Sequence, residues 1–331
     1  MTTAEETAPM TTSTNRAYVA RTRERIGSRV VGRERELDLV LAAVAAGRDI
    51  LLEGPPGTSK STLLRAIAAE WNIPLVMVEG NADLTPAKLL GHHDPARVLK
   101  EGYQDDNFVD GPLLRAMRGG GFLYIEEFNR APDDALNALL TAMAEREVTV
   151  PRLGSVVAAP TFRVIGSMNP HDNVGTNRLS DSVHDRFNRV SVTYQDAAAE
   201  QAIVALRTSL TDGRVPSALG EALVTDAVAL TRATREHPDL RQGSSVRGAI
   251  DLALVTAQLC GMREIDEPGT GRVTAADDAR RRYARSVLDA AGVALSGRIH
   301  VDESVRTTPE AVLEEIWEQY FILDPAGAEP G

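Results

Sequence analysis

The sequence predicts an α/β fold in which a parallel β-sheet domain is followed by a second, smaller all-α domain. Between Gly32 and Arg235, short apolar and mostly β-branched runs alternate with longer segments of helical spacing. Strands that are apolar along their whole length and alternate with helices are typical of a parallel sheet covered on both faces. From Asp196 onward the strand-like runs stop, and only helical segments follow. A chain of 331 residues is also longer than one hydrophobic core usually supports, which favours two domains.

Each predicted element follows from its local pattern. The apolar runs predict strands at Asp49–Glu53, Leu75–Glu79, Phe122–Glu126, Phe162–Met168 and Arg189–Thr193. Apolar residues at helical spacing predict helices between them, for example at Ser61–Trp71 and Asp133–Arg146. In the second domain the same spacing predicts helices at Asp196–Ser209, Ala218–Arg235, Ser244–Arg263 and Pro309–Phe321.

Two stretches interrupt the alternation of strands and helices in the first domain. We predict a small hairpin within Pro95–Pro112 and a second one within Glu147–Pro160, where two β-like runs flank Leu153 and Gly154. The predicted domains are a flexible N-terminal tail at 1–25, the α/β domain at 26–195, the helical domain at 196–323 with a loop insertion at about 264–300, and a Pro/Gly tail at 324–331.

Composition excludes several classes of protein. The chain has 36 basic and 47 acidic residues, a net charge of −11, so it lacks the positive surface that non-specific DNA binding needs and no nucleic-acid partner is expected. No apolar run is long enough to span a bilayer, and the first thirty residues contain no secretory signal, so we expect a cytoplasmic protein. Cys260 is the single cysteine, which excludes an internal disulfide and a cysteine-based zinc site.

The clearest motif follows the first predicted strand. A Gly-rich loop between a strand and a helix points backbone N–H groups and the helix N-terminus at one spot, which suits a polyphosphate. We expect Lys60 to reach the β- and γ-phosphates and the Ser61 hydroxyl to ligate Mg²⁺. The strict form of this motif has Gly where the chain has Ser59, and serine resists a positive φ. The predicted phosphate-binding residues, here called the phosphate loop, are Gly54, Pro55, Pro56, Gly57, Thr58, Ser59, Lys60, Ser61 and Thr62.

Two acidic residues end the third predicted strand. In open α/β folds ligands bind at the carboxyl ends of the strands, so Glu126 and Glu127 are expected beside the phosphate loop. Glu126 is predicted to hold Mg²⁺ through water, and Glu127 to orient and activate the attacking water. Two acids after a strand are by themselves more often a solvated loop, but their position downstream of Lys60 favours a catalytic role.

Three further residues are candidates for the same site. Asn169 follows the fourth predicted strand and is placed to help position the water, although an Asn-Pro turn is the simpler interpretation. Arg186 precedes the fifth strand, and an arginine near a subunit edge can reach into a neighbour's nucleotide site. Arg247 opens a helix of the second domain and is a candidate to face the phosphates. A surface salt bridge is the simpler interpretation for any single arginine.

These motifs, in this order, resemble the AAA+ ATPases and, among them, the MoxR family. The resemblance runs from Val31 to about Ala253. Its most specific markers are EFNRAP at Glu127–Pro132 and ALLTAMAEREVTV at Ala138–Val150, and Phe108–Leu114 falls where this family carries a helix-2 insert. The resemblance identifies the phosphate loop as Walker A, Phe122–Glu127 as Walker B, Asn169 as sensor 1, Arg186 as an arginine finger and Arg247 as sensor 2. Departures from the family pattern are Ser59, Glu126, Val246 and Met168.

The resemblance implies a chaperone-like ATPase that uses ATP and Mg²⁺ and assembles as a ring, usually a hexamer. It also implies a partner with a von Willebrand factor A domain and a client protein complex that is matured or activated. The helical domain would then be the lid of the nucleotide site. The two predicted hairpins are our candidates for transmitting force to the client.

Three alternatives stay open from the sequence. The first is a nucleotide-gated binding module without robust hydrolysis, which the departures at Ser59 and Glu126 favour weakly. The second is a DNA-working AAA+ motor, which the net charge of −11 disfavours. The third is a relative dedicated to one client, such as a metal chelatase, gas-vesicle assembly or rubisco activation.

Overall fold

The chain divides into two compact units, one ending at Thr193 and the other beginning at Tyr194. They are described here from a computed structural model, which describes residues 21–27, 29–170, 179–274 and 277–323. Among these residues, no helix combines the length and the apolar character that crossing a bilayer requires.

The first unit is built around a five-stranded parallel sheet, which confirms the predicted fold class. All five predicted strands form, with bounds within two residues of those expected. In chain order they are β1 (Ile50–Glu53), β2 (Leu75–Glu79), β5 (Phe122–Glu126), β8 (Arg163–Met168) and β9 (Asn188–Ser191), and in space the order is β2-β5-β8-β1-β9.

The central strands are apolar because both of their faces are covered. In β1, Ile50 and Leu52 pack in one apolar cluster while Leu51 packs in another, so alternate side chains enter the cores on opposite faces of the sheet. The helices of this unit are α1 (residues 21–27), α2 (Glu34–Ala45), α3 (Lys60–Glu70), α4 (Pro86–Leu90), α5 (Pro95–Glu101), α6 (Pro112–Gly119), α7 (Asp133–Glu145) and α8 (Asp181–Arg186).

The register of the sheet gathers the strand ends that carry the candidate site. Glu53, at the end of β1, lies opposite Met168 of β8, and Ile125 of β5 lies opposite Gly166. The carboxyl ends of β1, β8 and β5 therefore form one edge, with β8 in the middle. The phosphate loop leaves this edge from β1.

The first predicted hairpin is wrong in detail. Its strands are β3 (Gly91–His93) and β4 (Phe108–Asp110), and α5 lies between them. The helix forms because the Asp94 carboxylate accepts hydrogen bonds from the backbone N–H groups of Ala96, at 2.8 Å, and Arg97, and Pro95 occupies the first helical position. The second hairpin forms as predicted, from β6 (Glu147–Val150) and β7 (Gly154–Val157).

The predicted N-terminal tail at 1–25 is wrong for residues 21–25. Residues 21–27 are helical because α1 buries the side chains of Thr22 and Ile26 completely or nearly so. Arg25 of this helix also pairs with Glu70 at 2.9 Å. Residues 1–20 of the predicted tail, like the C-terminal tail at 324–331, lie outside the described residues.

The second unit is helical, and its predicted loop insertion at 264–300 is wrong. Asp278–Ala294 of that stretch form a helix, α12, which buries Tyr283 and Val287 together with a stripe of small residues such as Ala290 and Ala294. The arginine-rich outer face of this helix hid its periodicity. The elements are α9 (Ala197–Thr208), α10 (Ser217–Glu236), β10 (Leu240–Gln242), α11 (Val246–Met262), α12 (Asp278–Ala294), β11 (His300–Val301) and α13 (Pro309–Phe321).

Candidate nucleotide site

The phosphate loop leaves the sheet by a path that only small residues fit. A side chain at Gly54 would lie 1.9 Å from the backbone oxygen of Val192, so the position requires glycine. Gly57 has a φ of 77°, and Ser59, just before α3, has a φ of 64°. The backbone at position 59 therefore has the left-handed conformation that glycine adopts in the strict motif, although the residue here is a serine.

Lys60 begins α3 and folds back over the loop. Its ammonium group donates to the backbone oxygens of Gly54, at 2.7 Å, and Pro55, at 2.8 Å. The Thr58 hydroxyl donates to the same Pro55 oxygen at 2.9 Å. The Lys60 ammonium group thus lies against a loop whose backbone N–H groups precede a helix. This arrangement is suited to a polyanion.

Ser61 and Glu126 lie in direct hydrogen-bond contact, although 65 positions separate them in the chain. The serine comes from the first turn of α3, and the glutamate from the end of β5, two strands away from β1. A hydroxyl and a carboxylate oxygen are the hard oxygen ligands that Mg²⁺ prefers, so the donor set fits this ion.

A buried tyrosine lies beneath this pair. The Tyr124 hydroxyl lies 2.8 Å from the Ser167 hydroxyl, 3.3 Å from Glu126 Oε1 and 3.4 Å from Ser61 Oγ. Its side chain is completely buried, and burial raises the pKa of the phenol to about 12. The hydroxyl therefore keeps its proton and can donate to the carboxylate.

Glu127 follows at the same edge and is paired within its own turn. Its carboxylate lies 2.5 Å from Arg130 Nε, and its backbone is left-handed with a φ of 52°. A side chain at Gly80 would lie 2.3 Å from the Glu127 backbone oxygen, so the loop after β2 approaches this turn closely. About half of the Glu127 side chain is exposed to solvent.

Asn169 comes directly after β8 and is half-buried. Because β8 lies between β1 and β5, this position falls between the phosphate loop and the two glutamates. The sheet order thus gathers all the candidates from the first unit at one edge except Arg186.

Arg186 is the last residue of α8 and lies at the opposite edge of the sheet. The strand that follows it, β9, begins opposite Ile50, at the start of β1, whereas the phosphate loop follows the end of β1. Arg247 belongs to the second unit, where it is exposed in the first turn of α11. The structure therefore does not gather these two arginines with the other candidates within the first unit.

Sequence reasoning missed three contributors to this edge. Tyr124 and Ser167 are polar positions in otherwise apolar central strands, a signal that was available. Glu53 is buried directly before Gly54, and its carboxylate accepts a hydrogen bond from Arg189 Nε at 2.9 Å. That pair ties the edge strand β9 to the start of the phosphate loop, which no local pattern indicates.

Comparisons with known proteins show which family this chain belongs to. The family described as AAA domain (dynein-related subfamily) matches residues 49–187. An uncharacterized protein of Staphylococcus haemolyticus is 31% identical over 208 residues, covering 62% of this chain and 77% of that protein. The gas vesicle ATPase GvpN of Ancylobacter aquaticus is 28% identical over 233 residues, covering 66% of this chain and 63% of its own. The chain belongs to the AAA+ ATPases of the MoxR type.

A solved structure also overlaps this one in part. The RuvB Holliday junction branch migration motor of Thermotoga maritima matches with a TM-score of 0.46 and 20% identity, over 80% of this chain and 70% of that one. AAA+ ATPases bind nucleotide, typically with Mg²⁺, and typically form oligomers. In this AAA+ chain the loop after β1 carries a serine at 59, and β5 ends at Glu126 with Glu127 directly after it.

Proposed function

We propose that this protein is a MoxR-type AAA+ ATPase that hydrolyses ATP in a ring oligomer to remodel, mature or activate a client protein complex. The observation that carries the proposal is the contact between Ser61 and Glu126. It brings a hydroxyl and a carboxylate together beside the phosphate loop, as an ATP–Mg²⁺ site requires.

In this proposal the phosphate loop binds the triphosphate of ATP. The backbone N–H groups of Gly54–Thr62 surround the phosphates, and Lys60 exchanges its two loop carbonyls for the β- and γ-phosphate oxygens. Ser61 and Glu126 hold Mg²⁺, Glu126 through water. When bound, the ion neutralises the charge that develops on the phosphate oxygens.

The proposed base is Glu127. Its carboxylate takes a proton from the attacking water, and Asn169 helps to hold that water in line with the γ-phosphate. For this the carboxylate must turn from its ion pair with Arg130 toward the nucleotide. The side chain has room to do so because about half of it is in contact with solvent.

Arg186 is proposed to act in a neighbouring subunit. It lies at the edge of the sheet opposite its own phosphate loop, which supports catalysis shared between two copies of the chain. Arg247 is proposed to contact the phosphates as well, from either its own subunit or the next. A ring, most simply a hexamer, gives every site such a neighbour.

The proposed client is a protein complex, and the proposed partner carries a von Willebrand factor A domain. The relative named a gas vesicle ATPase supports an assembly as the client class. The insert between β3 and β4 and the β6–β7 hairpin are proposed to transmit force. Deleting either one should abolish remodelling and spare ATP hydrolysis, and loss of nucleotide binding would contradict that role.

The test is ATP hydrolysis measured against protein concentration for the wild type, Glu127→Gln and Arg186→Ala. We expect a rate per subunit that rises with concentration in the wild type and vanishes in both variants. Nucleotide binding should persist in the variants, which separates lost chemistry from lost folding. A wild type that binds ATP but turns over no faster than the variants, with or without its partner, would instead indicate a nucleotide-gated binding module.

A further inference from the structure

A cleft of 610 Å³ lies at the amino-terminal edge of the sheet, opposite the phosphate loop. Segments distant in sequence converge on it, from the starts of β1, β8 and β9 and from the ends of α7 and α8. The charged residues that line it are Arg48, Asp49, Arg146, Arg163, Asp185 and Arg186. Four guanidinium groups therefore face two carboxylates.

Two of these arginines, Arg146 and Arg163, donate hydrogen bonds to backbone oxygens and not to carboxylates. Arg146 donates to the backbone oxygen of Ala159 at 3.0 Å, and its guanidinium stacks over the Phe162 ring at 5.1 Å. Arg163 donates to the backbone oxygen of Pro160 at 2.8 Å and packs so closely on Gly47 that a side chain there would lie 2.9 Å from its guanidinium. Both guanidinium groups are thus oriented without a direct ion pair.

The two acids of the cleft offset only part of the positive charge of the four arginines. Over residues 21–27, 29–170, 179–274 and 277–323, none of the four arginines forms an ion pair with a carboxylate. The Asp49 carboxylate instead accepts the backbone N–H of Val164 at 2.7 Å. The buried Nε of Arg163 has no hydrogen-bond partner within the same ranges.

The positive charges in the cleft repel one another, which disfavours the charged form of Arg163. The pKa of Arg163 is lowered, first by burial and then by the neighbouring guanidinium of Arg146. A bound anion would relieve both effects. Planar guanidinium groups that converge on one space match the oxygens of a phosphate group, and several together suit a polyphosphate better than a single carboxylate.

We infer that this cleft is an anion-binding site formed by Arg48, Arg146, Arg163 and Arg186. It binds the phosphates of a nucleotide that is held by the phosphate loop of a second copy of this chain. The cleft cannot serve its own loop, because the four residues of β1, about 13 Å at ~3.3 Å each, separate the two edges. The inference rests on the proposed function and extends it: the neighbour supplies a cleft of four arginines in place of a single one.

The first experiment is complementation between two damaged chains. Lys60→Ala has an intact cleft and a damaged phosphate loop, whereas the double variant Arg146→Gln with Arg163→Gln has the reverse. Each alone should hydrolyse ATP at least tenfold more slowly than the wild type. Mixed in equal amounts they should exceed the mean of the two separate rates severalfold, because some interfaces then join an intact cleft to an intact loop. A mixture that only averages the two rates would overturn the inference.

The second experiment does not depend on hydrolysis, so it separates the inference from the proposed function. Inorganic tripolyphosphate is titrated calorimetrically into Lys60→Ala, alone and combined with Arg146→Gln and Arg163→Gln. We expect the cleft substitutions to weaken the remaining binding at least fivefold, and Arg35→Gln, an exposed arginine outside the cleft, to leave it unchanged. Equal binding by all three proteins would refute the anion cleft even if the wild type proves to be an ATPase. Thermal unfolding of each variant shows that a lost site is not lost folding.

Discussion

At the scale of single residues, the feature that stands apart is a phenol hydroxyl inside a central strand. A hydroxyl buried without partners costs free energy, and phenylalanine would fill the same space. The Tyr124 hydroxyl is satisfied by Ser167 and Glu126, and it lies 3.4 Å from Ser61. It therefore orients the Ser61 and Glu126 side chains, which are proposed to hold Mg²⁺. The side chain of glutamate is longer than that of aspartate, and this contact holds it in place.

Replacing this hydroxyl should weaken metal binding more than nucleotide binding. In Tyr124→Phe we expect the affinity for Mn²⁺, measured by electron paramagnetic resonance in the presence of ATP, to fall about fivefold. ATP binding in a chelator should stay unchanged, because the phosphate loop is intact. Tyr283→Phe is the matched control, since that buried hydroxyl donates to Asp226 in the second unit at 2.9 Å. Equal loss in the two variants, or equal loss with and without metal, would contradict the role.

Ser59 makes a second residue-scale prediction. A left-handed conformation costs a non-glycine residue about 1–2 kcal/mol, while glycine loses roughly 0.5–1 kcal/mol more backbone entropy on folding. Ser59→Gly should therefore raise the free energy of unfolding of the first unit by about 0.5–1 kcal/mol, measured by urea denaturation. Ser59→Ala keeps the side-chain carbon and should bring no gain, so equal stability of the two variants would argue against strain at this position.

At the scale of elements, the two inserts of the first unit form one body. The Arg152 guanidinium, at the tip of the β6–β7 hairpin, lies 3.8 Å from the centre of the Tyr103 ring. That ring meets His93 edge-on at 5.0 Å, and His93 meets Phe108 in the same way at 4.9 Å. The β3–α5–β4 insert, whose Leu99 is 87% exposed, is thus fastened to the tip of the hairpin. We expect the inserts to move together when they act on a client.

Cutting the link at Arg152 should loosen the other insert. A cation–π contact of about 0.5–2 kcal/mol corresponds to a two- to thirtyfold change in an opening equilibrium. In Arg152→Ala we expect amide hydrogen exchange across residues 91–110 to accelerate within that range. Ser155→Ala is the control, because the Ser155 hydroxyl lies on the same hairpin and donates to Glu147. Unchanged exchange, or the same change in the control, would show that the inserts are independent.

At the scale of the whole molecule, each unit has a hydrophobic core of its own. The apolar clusters of the first unit use buried residues no later than Val192, and the cluster of the second begins at Val204 and ends at Phe321. A chain segment that buries its own core can fold alone.

The distribution of charge is also a property of the whole molecule, because the arginine cleft and the phosphate loop occupy opposite edges of one sheet. A site that combines them needs two molecules.

The second unit should therefore fold in isolation. We expect residues 194–331, expressed alone, to be helical and to melt cooperatively by circular dichroism. Tyr283→Ala should abolish the transition or lower the free energy of unfolding by about 3–5 kcal/mol, because that ring is completely buried. A broad, non-cooperative melt of the isolated unit would mean that its core is completed elsewhere.

The sequence by itself determined the class of the fold, the five strands and the phosphate loop, because each is encoded by neighbouring residues. Apolar runs define buried strands, and the Gly-rich turn before Lys60 defines its own backbone path. It also predicted that Glu126 would come beside Ser61, since the carboxyl ends of parallel strands share one edge. The sequence did not predict the helix α12, because its local signals were mixed. The buried face of this helix consists largely of alanines, and its exposed face is rich in arginine.

Only the tertiary structure decided which side chains meet across long gaps in the chain. The contact of Tyr124 with Ser167, the pairing of Glu53 with Arg189 and the stacking of Arg152 on Tyr103 join separate segments. The arginine cleft draws on segments from Arg48 to Arg186. No periodicity records such contacts, because they depend on strand order and on how helices pack over the sheet. Local patterns therefore determined the elements, and packing decided the chemistry that those elements bring together.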